Sequence, residues 1–222
     1  MSKSTLRNVS LRLYAQHMIY GDSLRDNNYI TAENFNSAKN SPHLEVFKQK
    51  GIEVILLTDR VDEWVASHLF EFDGKSLVSV AKGKLDLGKL DDEKPSEEEI
   101  KQQDEQAKPI LEKIKTALTG KVKDVVVTTR LVDSPACLVV DNNAMSMQME
   151  RLMRQAGQEM PANQPTLEIN LKHKLISKLE SSIDQNQTDA LSLVIFEQAQ
   201  LAEGIQLDDP VGFVKRMNSF IA

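Results

Sequence analysis

The run Ile52-Glu53-Val54-Ile55-Leu56-Leu57 leaves few choices of fold. Its apolar residues do not alternate with polar ones, the pattern of a strand buried on both faces. Helical segments flank it. Upstream, the strand-like NNYIT, with Tyr29 and Ile30, leads into a helical stretch over 32–40. Ser41-Pro42 then supplies a cap followed by Pro at the first helical position, opening HLEVFKQK, which stops at Gly51. Downstream, Asp59 or Asp62 caps a helix VDEWVASHLFEF that is expected to run to Asp73-Gly74, with Val61, Val65, Leu69 and Phe72 as its core face. A β-prone run follows at 76–80. The order β-α-α-β-α-β predicts a small α/β layer with a mostly parallel sheet over residues 29–82. Residues 1–28 form an atypical N-terminal segment in which Leu11, Leu13, Tyr14 and Met18 make only a weak helical face.

Residues 83–108 change character. Glycine, proline and a high density of charge mark a connector, and Ser96-Glu97-Glu98-Glu99 opens a long helix with a capping-box pattern. Ile110, Leu111, Ile114, Ala117 and Leu118 lie on one face of that helix. Residues 109–222 read as a second unit. KDVVVTTRL and ACLVV are two strands joined at Asp133-Ser134-Pro135, and a methionine-rich helix begins near Ala144. A short strand TLEIN and helices over 173–183, 188–202 and 210–221 complete it, the last capped by Asp209-Pro210. The expected fold class is a small α/β subdomain followed by a mixed α+β domain that ends in a helical bundle.

Composition narrows the function. A net charge of -6 argues against a surface for nucleic acid or anionic lipid. No apolar run approaches the length of a membrane span, and the N-terminus lacks the apolar core of a secretory signal. With Cys137 as the only cysteine, an internal disulfide and a four-thiolate zinc site are both excluded. The cytoplasm is the default compartment. Phosphate-cradling glycine loops and the nucleophile-elbow motif are absent from the sequence. His17, His43, His68 and His173 share no ligand spacing, so no metal is expected. Cys137, inside an apolar run, reads as a buried, inert thiol, and Asp133-Ser134-Pro135 reads as a turn.

Two features carry more information. In LSLVIFEQAQLA, residues 191 and 193–196 are apolar almost all the way round, so the helix must be covered on several sides. The final helix offers one stripe of Phe213, Val214, Met217, Phe220 and Ile221. Two readings stand: burial against the chain's own preceding domain, or self-association into a four-helix bundle with two helices per chain. The second feature is a methionine cluster. Four of the eight methionines, Met145, Met147, Met149 and Met153, fall within a short stretch. Met145, Met149, Leu152, Met153 and Ala156 share a face, and flexible thioethers suit a surface that adapts to varied shapes. An ordinary packed amphipathic helix is the alternative.

Several segments resemble the heat-shock protein 90 chaperone family in its bacterial form. They are NSPHLEVFKQKGIEVILLTDRVDEW, EFDGKSLVSV, RLVDSPACLV, MSMQMERLMRQAG and LDDPVGFVKRMN, in family order and covering the chain from about Tyr29 to its end. The resemblance implies that residues 29–82 end the family's middle domain and that 109–222 form its C-terminal dimerisation domain. It implies a homodimer through Leu191, Val194, Ile195, Phe213, Met217 and Phe220. It implies contact with unfolded or partly folded client proteins through Glu63, Trp64, Met145, Met149, Leu152 and Met153, and co-chaperones as further partners. Ser67 stands where some bacterial members have Asn. In the family, ATP and magnesium belong to an N-terminal domain helped by a middle-domain arginine, both upstream of the segments matched here. No catalytic residue and no cofactor is therefore expected in this chain. A passive assembly module that dimerises without touching clients is the rival reading.

Overall fold

In the computed structural model, which describes residues 18–19, 27–84, 97–158, 163–180 and 184–221, the strand at 54–57 is buried along its whole length. Its side chains alternate between two layers. Val54 and Leu56 join Ile30, Leu44, Val46 and Phe47 on one side, and Ile55 and Leu57 join Ala66 and Tyr29 on the other. The sheet contains β1 (Met18–Ile19), β2 (Asn27–Thr31), β3 (Val54–Leu57), β4 (Glu71–Phe72) and β5 (Lys75–Ser79), in the order β1-β3-β2-β5-β4. The central strand β2 runs parallel to β3 and β5, and β1 and β4 are antiparallel edges. Helix α1 (Phe35–Lys39), a 3-10 turn (Pro42–Leu44) capped by Ser41, and α2 (Glu45–Gln49) lie between β2 and β3. Helix α3 (Asp62–His68) follows β3.

Three expectations for this region change. Met18 is not helical: it pairs with Ile55 as part of an edge strand, and Leu11, Leu13 and Tyr14 lie outside the described residues. Helix α3 ends at His68, because Glu71–Phe72 folds back on β5 as a hairpin. Its two-residue turn has Asp73 and Gly74 at φ 52° and 76°, the paired positive angles of a type I′ turn, for which Asp-Gly is a preferred sequence. Finally, Val61 and Val65 are 56% and 50% exposed and so are not the core face of α3. The helix is rotated so that Asp62, Glu63 and Ala66 turn inward: Ala66 packs on β3, and Asp62 accepts the Asp59 N–H at 2.8 Å.

The second sheet contains β6 (Asp124–Val127), β7 (Ala136–Val139) and β8 (Thr166–Ile169), in the order β6-β8-β7. The strands joined through Asp133-Ser134-Pro135 are consecutive but not neighbours, since β8 lies between them, parallel to β6 and antiparallel to β7. Among the described residues five helices accompany it: α4 (Glu97–Ala117), α5 (Met147–Gln155), α6 (Lys174–Glu180), α7 (Gln185–Ala202) and α8 (Pro210–Ile221). Ile110, Ile114 and Leu118 meet Leu138, Leu167, Ile169, Ile176 and Leu179 in one core.

Helix α7, apolar nearly all round, is covered by its own chain. It packs on β7, α4, α6 and α8, and Leu191, Val194 and Ile195 are buried. One face of a three-stranded sheet needs a lid, and α7 is that lid, so these three residues need no second copy to leave water. Helix α8 is different. Phe220 packs at the core's edge and Phe213 and Met217 are half-buried, while Val211 and Val214 are exposed. Among the described residues no helix is long and apolar enough to cross a membrane.

Polar contacts join the two sheets. Arg130, fully buried, pairs with Glu168 at 2.8 Å and donates to the carbonyls of Val80 and Gly83 at 2.5 and 2.8 Å. The Glu45 carboxylate accepts the N–H groups of Val132, Asp133 and Ser134 at 2.6, 2.8 and 3.1 Å, and the Ser134 hydroxyl as well. Burial raises the Glu45 pKa, but these donors outweigh it and hold the group below its ordinary value. The 133–135 turn is therefore a structural joint. His43, buried, meets Glu203 at 2.8 Å. These ties hold the first unit against the second.

Candidate functional site: a groove between two helices

Helices α3 and α5 face each other across an open groove of about 760 Å³. Ser146 accepts the Met149 N–H at 3.0 Å and so caps α5, and its hydroxyl donates to the Glu63 carboxylate across the groove floor. Arg151 holds the far side of α5, pairing with Glu33 and donating to the Gly204 carbonyl, each at 2.8 Å. The helix is thus clamped to both units, and its methionine face is presented rather than left to drift.

The groove wall from the first unit carries Trp64, 48% exposed, together with Leu69, Phe70, Leu77 and Val78. Phe70, at 76% exposed, has the largest fractional exposure of the exposed large apolar residues. The opposite wall carries Met145, Met149 and Met153. Met149 is buried and acts as the anchor of α5, while Met145 and Met153 are partly accessible. Met145 precedes the helix, which begins at Met147 after the Ser146 cap rather than near Ala144. Leu152 is half-buried on the flank of α5, outside the groove lining. Met147 points elsewhere, packing on the second core. Ser67 lines the groove but spends its hydroxyl on the Trp64 carbonyl at 2.8 Å.

Two charged groups stand in this apolar setting. Glu63 is 7% exposed, and Lys82 donates to the Ala144 carbonyl at 2.9 Å. Burial lowers the Lys82 pKa, an effect the nearby Glu63 charge opposes. Burial and the same Glu63 charge raise the Tyr29 pKa, against a hydrogen bond with Ser79. The sequence reading did not pick out Tyr29, Phe70, Leu77, Val78, Lys82 or the 142–144 loop. Phe70 offers one signal, a large apolar residue close to a turn, but the helix expected over 61–72 covers it.

The Cys137 thiol is buried within the chain, and desolvation first, then the Glu168 charge, pushes its pKa well up. Among the described residues no group of three or more His, Cys, Asp and Glu is placed to hold a metal ion. Apolar walls, adaptable thioethers and a few fixed polar groups are the make-up of a recognition groove.

Comparison with known proteins gives the family. The model for "Hsp90 protein" matches residues 1–222. "Chaperone protein HtpG" of Dechloromonas aromatica is 54% identical over 215 residues, 97% of this chain and 33% of that protein. The proteins of the same name from Chromobacterium violaceum and Legionella pneumophila (strain Lens) are 55% and 48% identical, over 87% and 99% of this chain and 30% and 34% of their own lengths. The chain belongs to the Hsp90 family and spans about a third of the length of the curated relatives it matches. The match includes residues 1–28, which the sequence reading had set apart as atypical.

Proposed function

We propose that this chain is the dimerising, client-holding part of a heat-shock protein 90 chaperone and works by binding alone. Residues 29–82 would end the middle domain, 83–108 connect, and 109–222 form the C-terminal dimerisation domain. The observation that carries the proposal is the groove itself. Glu63 and Trp64 lie 81 to 90 positions from Met145, Met149 and Met153, yet all five line one surface. Rigid aromatic area beside thioethers suits varied apolar segments of partly folded proteins. A second copy of the chain is the proposed permanent partner, co-chaperones are further partners, and the cytoplasm is the proposed compartment.

The test is suppression of aggregation of a chemically unfolded model protein by the 222-residue chain. Activity that falls in Met153→Ser, with the fold intact, supports client contact. Met153 is the better choice than Met149, whose burial would confound the result. No suppression by the unmodified chain, with dimerisation intact, favours the passive assembly module instead. Calorimetric titration of this chain with magnesium-ATP is expected to be flat, and saturable micromolar binding would refute action by binding alone.

A further inference from the structure

The four clustered methionines do not share one environment. Met149 is buried and Met147 packs on the second core, whereas Met145 and Met153 are partly accessible and line the open groove. Peroxides and hypochlorous acid oxidise a thioether to a sulfoxide, and exposure decides which sulfur reacts first. The chain's one thiol does not compete. Cys137 is the only cysteine and is 1% exposed, and desolvation, with the Glu168 charge behind it, holds its pKa up so that little reactive thiolate forms. Nor does α5 depend on the two accessible sulfurs for its place. Its anchor is Met149, its cap is Ser146, and Arg151 ties it to Glu33.

We propose that Met145 and Met153 form an oxidation switch on the groove: as sulfoxides they weaken its grip on apolar segments, and their reduction restores it. In the forward step one oxygen atom passes to sulfur, which loses two electrons, while hydrogen peroxide is reduced to water or hypochlorous acid to chloride and a proton. In the return step a dithiol supplies two electrons and two protons, becomes a disulfide, and the oxygen leaves as water. The sulfoxide puts a polar acceptor on a wall that faces Trp64, Leu69 and Phe70. An apolar segment laid over that oxygen strips it of water and supplies no donor in exchange. The fold is untouched because neither sulfur belongs to a core, which separates a switch from oxidative damage. The inference rests on the groove being the client-holding surface.

The whole chain is treated with hydrogen peroxide, mildly enough to leave Trp64 unmodified, mapped by mass spectrometry, and titrated with a permanently unfolded model protein. Met145 and Met153 should oxidise about tenfold faster than the buried Met149. With both as sulfoxides, affinity should fall about tenfold at an unchanged melting temperature. Methionine sulfoxide reductases of both epimer specificities, with dithiothreitol, should restore it. Met217, half-buried on α8 and outside the groove lining, is open to the same oxidant, so the double variant Met145→Leu, Met153→Leu is treated in parallel. Whatever its starting affinity, oxidation should change it by less than about twofold. An equal loss in the double variant overturns the inference, as does a loss that comes with a lower melting temperature or resists the reductases. If the unoxidised chain does not bind the model protein, the client-holding reading of the groove falls along with the inference. Binding that is indifferent to sulfoxides at Met145 and Met153 sinks the inference alone.

Discussion

Replacing Trp64 by Ala separates a groove wall from a core residue. Tryptophan can bury about 200 Å², and here 48% of the residue remains exposed. The buried half, roughly 100 Å² at ~25 cal/mol per Å², sets a ceiling of ~2.5 kcal/mol. What alanine still covers brings the expected loss nearer ~1–2 kcal/mol, against ~3–5 kcal/mol for truncating a core aromatic. For a chain of this size that is a melting shift of about 3–6 °C rather than 10 °C or more. The exposed half is what a client would cover. By the same area argument, binding should weaken by ~1–2 kcal/mol, about five- to thirtyfold. Circular dichroism melting and binding to a permanently unfolded model protein, counted per folded molecule, give the two numbers. A melting drop above 10 °C with client affinity unchanged would refute the reasoning and make Trp64 a core residue.

Three further outcomes follow from the packing. Arg130→Met leaves Glu168 as a buried charge without its partner and two carbonyls without donors. It should cost ~3–5 kcal/mol in urea unfolding, and a loss below ~1 kcal/mol would show that the joint is not held there. Glu45 has a folded pKa below its ordinary 4.5, so its contribution is present above that value and is lost as pH falls through the lowered one. Glu45→Gln should be less stable than the parent near neutrality, with the gap closing on acidification below 4.5, and a gap that is constant with pH would be the wrong result. Ile195→Glu should unfold the chain, because Ile195 is 0% exposed within its own core, whereas Val214→Glu, at a 53% exposed site, should leave the melt intact and give monomers. Sedimentation at tens of micromolar tests the pair, and a folded, dimeric Val214→Glu would move the proposed dimer contact away from that face of α8.

The first sheet was legible because its signals are local. A continuous apolar strand, a Ser-Pro helix start and parallel spacing depend on residues close in sequence, and β2, α1, α2 and β3 formed where those signals lie. The orientation of α3 was less legible. Valine at 61 and 65 matches a helical stripe, but Ala66 is the residue that packs against β3, and Asp62 and Glu63 have partners that draw them inward. A hydrophobicity stripe ranks residues by transfer energy alone, and it cannot register a carboxylate stabilised by a serine 83 positions away. Asp73-Gly74 is a turn signal that fits a helix stop and a hairpin equally well, and only the pairing of Glu71–Phe72 with β5 decides for the hairpin and exposes Phe70.

The same distinction governs the two candidate surfaces. A helix that is apolar all round states that it must be covered but not by what. For α7 the cover is the sheet and helices of its own chain, a fact set by the interposed strand β8 and by α4, neither of which the 191–196 pattern can reveal. The stripe on α8 is less covered: Val214 on it and Val211 beside it are exposed. The groove shows the opposite case. The methionines are unusual for their setting, Met repeated where Leu would pack better, and Trp64 is the only tryptophan in the chain. Trp64, Met145 and Met153 stay accessible on the groove, whereas Met149 is buried as the anchor of α5 and Met147 packs on the second core. Residues whose role depends on distant neighbours, Lys82 and Tyr29 among them, carry no such mark, and only the meeting of α3 with α5 assigns them to the groove.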